Sequence, residues 1–248
     1  MKSALSFPKI AGIDIHIHWT FSLLIIWTIY NNMRAGLDAM QVTWSVIFVL
    51  SLFVCVTLHE LGHALAARRY GIKTKDITLY PIGGVARLEK MPEKPKQELA
   101  VAFAGPAVNF IIALLLLPLM LSSDFNAEES SSALIIGAPN FLPMLGMLNI
   151  TLAVFNLIPA FPMDGGRVLR ALLAMKMGRL KATQIAAGIG KLLAFGFIVM
   201  GFYSNPFLIF IGLFVIFGAN AEEQMVKTQE LVVRFTAKHA MMTQFIPL

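Results

Sequence analysis

The sequence predicts an all-α polytopic membrane protein of about six transmembrane helices with a small interfacial β-hairpin or sheet. Of the 248 residues, 57% are hydrophobic and only 14% are charged, and the mean hydropathy is +0.73. Soluble domains carry about 25% charged residues. Long charge-free runs are separated by short charged stretches, which indicates that the apolar residues are grouped into membrane spans.

The distribution of charged residues predicts the orientation of the spans in the membrane. Basic residues follow the second and the fourth span. The charged residues of the connection between the third and the fourth span are all acidic: Asp124, Glu128 and Glu129. The positive-inside rule then places both termini on the cytoplasmic side. Residues 1–222 form the predicted transmembrane domain, and residues 223–248 form a polar cytoplasmic tail. The spans are predicted at residues 19–31, 41–69, 99–123, 142–158, 183–203 and 207–220.

The net charge of +6 and the cysteine content limit the classes of function. The basic residues cluster between apolar runs and are not interleaved with aromatics on one polar face, so we expect no nucleic-acid partner. The lipid bilayer is the predicted partner of the apolar surface. Cys55 is the only cysteine, which excludes an intramolecular disulfide and a cysteine-rich metal site. The N-terminal segment lacks an early apolar core and a small-residue cleavage site, so we expect no removable signal peptide.

A histidine pair in the second span predicts a metal site. His59 and His63 stand at positions i and i+4, so on a helix both imidazoles project from one face and can bind one Zn²⁺ ion, with Glu60 beside them as general base. From Ala39 to Leu58 there is no charged residue, and an ionisable group after such an apolar run is a candidate functional group. The alternative is a polar helix face with ordinary histidines. The motif and its apolar setting together favour a zinc peptidase.

The fourth span ends in an irregular turn, rich in proline and glycine, that carries Asp164. Non-helical backbone at membrane depth is tolerated only where it is buried in protein or lines a wet cavity. A catalytic zinc ion needs three protein ligands and an open position, and no third histidine or glutamate lies in a comparably apolar setting. Asp164 is therefore the candidate third ligand. Alternatively, Asp164 caps the helix that starts near Gly165.

Three further features are candidates for contact with a substrate. Asn156, at the end of the fourth span, either donates to an oxyanion or holds the kinked turn by a structural hydrogen bond. Asn109, in the third span, either touches substrate or, as we favour, packs one helix against another. Residues 76–89 form two short β-like runs around Gly83 and Gly84, which we interpret as a hairpin or re-entrant segment. Its strand edge either adds a substrate strand or is purely structural.

Three more polar residues lie close to the apolar runs. His16 and His18 alternate with isoleucines in the period-2 pattern of a strand, and we expect them to belong to an interfacial strand rather than to bind metal. Lys191 lies within the fifth span. We expect its long side chain to reach the cytosolic interface rather than the substrate or the metal cavity.

These motifs together resemble the site-2 protease family of intramembrane zinc metalloproteases, and within it the prokaryotic branch that includes the sporulation-type enzymes. The resemblance implies a six-helix metalloprotease that cuts a transmembrane protein substrate near the cytosolic face. It also implies that His59, His63 and Asp164 bind zinc and that Glu60 is the base. The motifs that carry it are HELGH at 59–63, Gly83-Gly84, Ala104-Gly105-Pro106 with Asn109, and NLIPAFPMDGG at 156–166.

The last residues of the chain, 237–248, resemble the lead-in to a pair of nucleotide-sensing CBS domains, which many relatives carry. We therefore expect the chain to be the membrane domain of a longer protein, with a nucleotide as a further partner through those domains.

A metal transporter or sensor is the alternative function from a different class. A transporter is expected to place polar ligands on several spans through the depth of the bilayer and often to show internal repeats. Here the candidate ligands cluster at one depth, with Glu60 available as a base. A catalytically idle scaffold is disfavoured by the same glutamate.

Overall fold

The chain divides into two compact units, Met1–Asn156 and Leu157–Leu248. A computed structural model describes residues 4–81, 83–90, 92, 94–122, 136–137 and 139–234. Two regions with sequence predictions lie outside the described residues: the acidic connection at Asp124, Glu128 and Glu129, and the stretch 237–248 that resembles the lead-in to CBS domains.

The first unit contains a four-stranded sheet with the strand order β1-β2-β3-β4. The outer pairs are antiparallel hairpins, and β2 runs parallel to β3 with Asp14 opposite Asp76. The predicted strand with alternating isoleucines is confirmed as β2, and the predicted hairpin is confirmed as β3 and β4. Strand β1 and the pairing of β2 with β3 were not predicted. The strands are β1 Ala4–Ile10, β2 Ile13–His18, β3 Thr74–Tyr80 and β4 Gly83–Leu88.

Four helices complete the described part of the first unit: α1 Phe21–Arg34, α2 Ala39–Arg68, α3 Pro95–Ser122 and α4 Phe141–Asn156. Helix α2 begins with a capping box. The Asp38 carboxylate accepts a hydrogen bond from the Gln41 backbone N–H at 2.8 Å, and the Gln41 side-chain oxygen accepts one from the Asp38 backbone N–H at 3.0 Å. This explains why α2 starts two residues before the predicted span. At 30 residues, α2 is about 45 Å long, which exceeds the roughly 30 Å of membrane hydrocarbon.

The sheet packs on the middle of α2 through an apolar cluster. Ile77 and Leu79 of β3 contact a surface that includes Phe53 and Leu61 of α2. On another part of α2, Gly62 lies so close to α3 that an added Cβ would be 2.8 Å from the Ala104 carbonyl oxygen. Small residues of this kind allow close helix packing in membranes. Helix α2 is thus held between the sheet and α3 along the segment that carries the histidine motif.

The second unit contains three helices within its described residues: α5 Asp164–Met177, α6 Arg179–Tyr203 and α7 Phe207–Arg234. The basic residues that follow the fourth predicted span do not form a loop between membrane spans, because the helix α5 occupies most of this stretch. Arg170 and Ala171 of α5 are buried whereas Leu172 and Met175 are exposed, so one side of this helix packs inside the unit. Helix α7 extends twelve residues beyond the predicted tail boundary at residue 222, to Arg234.

A buried ion pair joins α5 and α7. Arg170 is fully buried, its guanidinium donates to the Glu222 carboxylate, and it stacks over the Phe161 ring at 5.2 Å from the centroid. Phe161 belongs to the turn before α5 and packs among Ala186, Ala187 and Ala219 of α6 and α7. The pair therefore anchors the turn that precedes Asp164.

The membrane character of the chain is clear from its helices. Within the described residues, four helices are long and apolar enough to cross a membrane: α2, α3, α6 and α7. Helix α4 is apolar but has only 16 residues, and α1 has 14. The predicted mostly helical membrane fold with a small sheet is confirmed at this level. Large apolar side chains on these helices face outward, as in Leu115, Leu121, Leu192, Phe202, Tyr203 and Phe217.

Replacing Glu222 by Gln should destabilise the second unit. The substitution removes a carboxylate partner from a fully buried guanidinium, which typically costs about 3 kcal/mol or more. Glu223→Gln is the matched control, because Glu223 pairs with the more exposed Lys191 and Lys227 and such pairs contribute about 1 kcal/mol or less. Thermal unfolding in detergent should therefore separate the two neighbours. Equal midpoint shifts would contradict the assigned role of the buried pair.

Candidate metal centre

Helix α2 brings the two motif histidines together. His59 and His63 lie one turn apart, both are 6% exposed, and their Nε2 atoms are 3.1 Å from each other. The rings are nearly perpendicular, with centroids 4.8 Å apart. The predicted pairing of the two imidazoles on one helix face is therefore present in the structure.

The outer nitrogen of each imidazole has a hydrogen-bond acceptor. His59 Nδ1 donates to Asn109 Oδ1 at 2.7 Å, and His63 Nδ1 donates to the Val101 carbonyl oxygen at 2.7 Å. A neutral imidazole carries one N–H, so both Nε2 atoms present lone pairs to the same point. Two Zn–N bonds of about 2.0–2.1 Å at a tetrahedral angle separate the nitrogens by about 3.3 Å, close to the distance found. The pair therefore fits a zinc ion.

Helix α3 leaves space beside this point. A Cβ added to Gly105 would lie 2.7 Å from His59 Nε2 and would also collide with the His63 ring. Cβ atoms essentially never approach other atoms within 3.0 Å. Glycine is thus required here because the ligating ends of both imidazoles occupy the volume that any other side chain would fill.

Glu60 follows His59 on α2, and its side chain lies against strand β4. Its Oε2 accepts from the Ala86 backbone amide at 3.2 Å, and a Cβ added to Gly84 would lie 2.8 Å from the Glu60 Cγ. Strand β4 is the last strand of the sheet, so the Ala86 amide belongs to its unpaired edge. The edge of the predicted hairpin and the candidate base are therefore in contact.

An ion pair fixes the two strands of this hairpin to each other. The Arg87 guanidinium donates through Nε to Asp76 Oδ1 at 2.7 Å and through Nη2 to Asp76 Oδ2. These hydrogen bonds, together with the positive charge of Arg87, hold the pKa of the Asp76 carboxyl below its ordinary value. Asp76 is thus ionised at neutral pH, and the clamp is lost only in acid, as pH falls through that lowered pKa.

Asp164 lies in the second unit, as the first residue of α5, and is 7% exposed. The N-cap position is held by Met163, so the alternative assignment of Asp164 as the helix cap does not describe this turn. The backbone of Leu157 and Ile158 passes very close to the start of α5, so that a Cβ on Gly165 would collide with the carbonyl groups of both residues. Gly165 thus permits the tight turn that presents the buried carboxylate.

The remaining predicted residues have structural partners. Asn156 Nδ2 donates to the Leu152 carbonyl oxygen at 3.0 Å, which corresponds to the structural alternative for this residue. His18 Nδ1 is 2.7 Å from Thr20 Oγ1, and its ring lies against Tyr80, in keeping with a strand role. Lys191 pairs with Glu223 at 3.1 Å. The sequence does not reveal this acidic partner, because Glu223 lies in the predicted polar tail and is 32 residues away along the chain.

Two supporting residues were also missed by sequence reasoning. Asn149 of α4 lies behind Asn109, and Arg170 lies behind the turn that carries Asp164. A buried polar residue in an apolar span is the signal that could have identified Asn149.

Comparison with known proteins identifies the family. The family model for peptidase family M50 matches residues 47–127 and 118–200. The chain belongs to peptidase family M50. The matched residues include the histidine motif, Gly105, Asn109 and the turn that carries Asp164.

Individual relatives agree with membership of this family. A zinc metalloprotease of Methanocaldococcus jannaschii is 45% identical over 97% of this chain and 67% of its own length. The solved structure of the site-2 protease from the same organism is 44% identical, with a TM-score of 0.63 over 89% of this chain and 95% of that chain. Stage IV sporulation protein FB of Bacillus subtilis is 27% identical over 70% of this chain and 52% of its own length. Three curated relatives match nearly the whole of this chain, and the chain spans about two thirds of the length of each of them.

Membership of family M50 confirms the resemblance drawn from the motifs. The enzyme class is a zinc metalloendopeptidase of the site-2 protease type, and Zn²⁺ is the metal. The relatives reported above include proteases by name, which favours hydrolysis over the transporter or sensor alternative. The predicted setting in a membrane agrees with both the family and the apolar helices.

Replacing Gly105 by Ala should abolish or strongly weaken zinc binding. The new methyl group would occupy the space that the two Nε2 atoms face, so the rings must move apart. Gly188→Ala in α6 is the matched control, since an added Cβ there meets nothing within 4 Å. The measurement is zinc content after gel filtration in detergent, with helical content as a check of folding. Equal zinc in both variants would contradict the position assigned to the metal.

Proposed function

We propose that this chain hydrolyses a peptide bond in or near a transmembrane segment of a membrane protein substrate, close to the cytosolic face. The observation that carries the proposal is the buried histidine pair on α2, whose Nε2 atoms face each other at 3.1 Å, with Glu60 next to His59 on the same helix. Helix α2 is an apolar helix long enough to cross a membrane, which supports a reaction within the bilayer.

The proposed metal ligands are His59, His63 and Asp164, which leave one position open for water or substrate. The support for Asp164 is its burial at the start of α5 on an irregular turn, in the motif that resembles the family's third-ligand segment. When bound, zinc lowers the pKa of a water molecule toward about 7 and polarises a carbonyl group.

Glu60 is the proposed general base. Its carboxylate removes a proton from the attacking water and then donates that proton to the leaving nitrogen. In the structure this carboxylate accepts from the Ala86 amide, so the edge of β4 holds it in place. A substrate that bonds to the same amide would compete for it and release the carboxylate.

The edge of β4 is the proposed substrate-binding surface, with Gly83 and Gly84 at its start. An extended peptide can add to an unpaired strand edge by backbone hydrogen bonds. Because Ala86 directs its amide from this edge toward Glu60, a strand added here would pass beside the base. A helical substrate hides its amides in internal hydrogen bonds, so it must unwind first, and helix-breaking residues near the cleavage site should help.

The two asparagines take different parts in this proposal. Asn156 is a candidate donor to an oxyanion or to the substrate backbone, because its Nδ2 group carries a second hydrogen besides the one given to Leu152. Asn109 lies with its amide between His59 and Asn149, which supports a role behind the metal rather than contact with substrate.

The membrane arrangement is proposed as six spans with both termini in the cytoplasm. Helices α1 and α4 would serve as the two short spans, with their flanking residues completing the crossing. We also propose that a nucleotide acts on the whole protein through CBS domains. The resemblance of residues 237–248 to the lead-in of such domains supports this.

Replacing Glu60 by Gln should abolish cleavage while leaving zinc bound. The amide cannot accept the proton, and loss of general-base catalysis typically costs 10²–10⁴-fold in rate. The assay is co-reconstitution with a single-span model substrate that carries Gly-Pro in its cytosolic half, compared with the same span in poly-Leu form. Glu89→Gln is the control, since Glu89 is exposed in the connection after β4.

Cleavage of the Gly-Pro substrate by wild type and by Glu89→Gln, with none by the Glu60 variant at unchanged zinc content, is the expected outcome. Undiminished cleavage by Glu60→Gln would contradict the assigned base. Equal cleavage of the two substrates would contradict the requirement for local unwinding.

A further inference from the structure

A chain of buried amides runs from the metal site through three helices of the first unit. His59 of α2 donates to Asn109 of α3, and Asn109 Nδ2 donates to Asn149 Oδ1 of α4 at 3.1 Å. Asn109 and Asn149 are both fully buried. Asn149 Nδ2 in turn donates to the Leu145 carbonyl oxygen at 2.8 Å and to the weakly accepting Cys55 Sγ at 3.4 Å.

The Leu145 carbonyl oxygen, at the end of this series of hydrogen bonds, determines which group donates in each of them. The Leu145 carbonyl is a backbone group that can only accept, so it fixes the Nδ2 side of Asn149 toward itself. Asn149 must then present Oδ1 to Asn109. Asn109 consequently gives its Nδ2 to Asn149 and turns its Oδ1 to His59.

This direction determines the tautomer of His59. Because Asn109 presents an acceptor, the imidazole must hold its single hydrogen on Nδ1, and Nε2 keeps its lone pair. If the Asn109 amide rotated by half a turn, it would present a donor and His59 would carry the hydrogen on Nε2. That hydrogen would then point at the place where the metal ligand is needed.

We propose that Asn149 is a positioning residue of the zinc site, which acts through Asn109 to keep His59 in the tautomer that can bind zinc. The inference rests on the proposed zinc ligation by His59. Helix α4 thereby supports the metal site through Asn149, although the Asn149 side chain contacts neither histidine directly. Partners that orient metal-binding histidines typically contribute 10–100-fold to metal affinity.

The test combines zinc affinity with a direct measurement of the tautomer. Asn149→Leu removes the side-chain hydrogen bonds to Asn109, Leu145 and Cys55 with a side chain of similar shape, and it should weaken zinc binding about 10–100-fold, as measured by competition with a chromophoric chelator. In zinc-free protein labelled with ¹⁵N-histidine, wild-type His59 should show hydrogen on Nδ1 only, and the variant should show both tautomers. The chain has five histidines, so the signals can be assigned by substitution.

Three further variants make the result decisive. Asn149→Ser can satisfy the Leu145 carbonyl from its own helix but cannot reach Asn109, so it should behave like the Leu variant even if that variant folds poorly. Asn149→Asp keeps an oxygen toward Asn109 and, in its neutral acid form, an O–H toward Leu145, so it should retain the tautomer and most of the affinity. Thr57→Val removes a buried hydroxyl that bonds only within α2 and should change neither quantity.

A single Nδ1–H tautomer and unchanged zinc affinity in both the Leu and Ser variants would overturn the proposal. Equal losses in Thr57→Val would also overturn it, since they would show a general effect of buried polar residues. Absence of zinc from the wild-type protein would refute the proposed ligand set itself. The tautomer measurement, which is made without zinc, would still decide whether Asn149 controls His59.

Discussion

The structure of the first unit depends on keeping two imidazole Nε2 lone pairs directed at one buried point. His59 and His63 are 6% exposed, and their Nε2 atoms are 3.1 Å apart. The surrounding residues hold each ring in this orientation through a hydrogen bond to its Nδ1 atom. The metal site is therefore supported by the packing of α2 against α3 as much as by the motif.

This requirement explains several features that are otherwise unfavourable in a membrane helix. Gly105 weakens a helix, yet its missing Cβ is what leaves room for the imidazole ends. Asn109 and Asn149 are fully buried amides, which is costly in an apolar setting unless each is paired, and both are. In the second unit the same principle applies to Arg170, whose buried charge is matched by Glu222 next to the turn that carries Asp164.

The sequence was sufficient to predict most of the helices and strands, but not β1, α5 or the partners of the buried polar residues. Apolar runs located the helices, alternating isoleucines located β2, and the spacing of His59 and His63 predicted their shared face. The supporting residues escaped prediction because hydrogen bonds between separate helices leave no periodic pattern in the chain. Arg170 illustrates the difficulty: as a basic residue after a span it suggested a cytoplasmic connection, but tertiary packing buries it completely.

Zinc content and X-ray absorption of the detergent-purified protein, wild type beside Asp164→Ala, test the central claim most directly, since neither needs a known substrate. We expect about one zinc ion per chain with two imidazole nitrogens and oxygen ligands at about 2.0–2.1 Å. The variant should lose the ion or bind it far more weakly. Wild-type protein without zinc, or a zinc site indifferent to Asp164, would contradict the proposed ligand set of His59, His63 and Asp164.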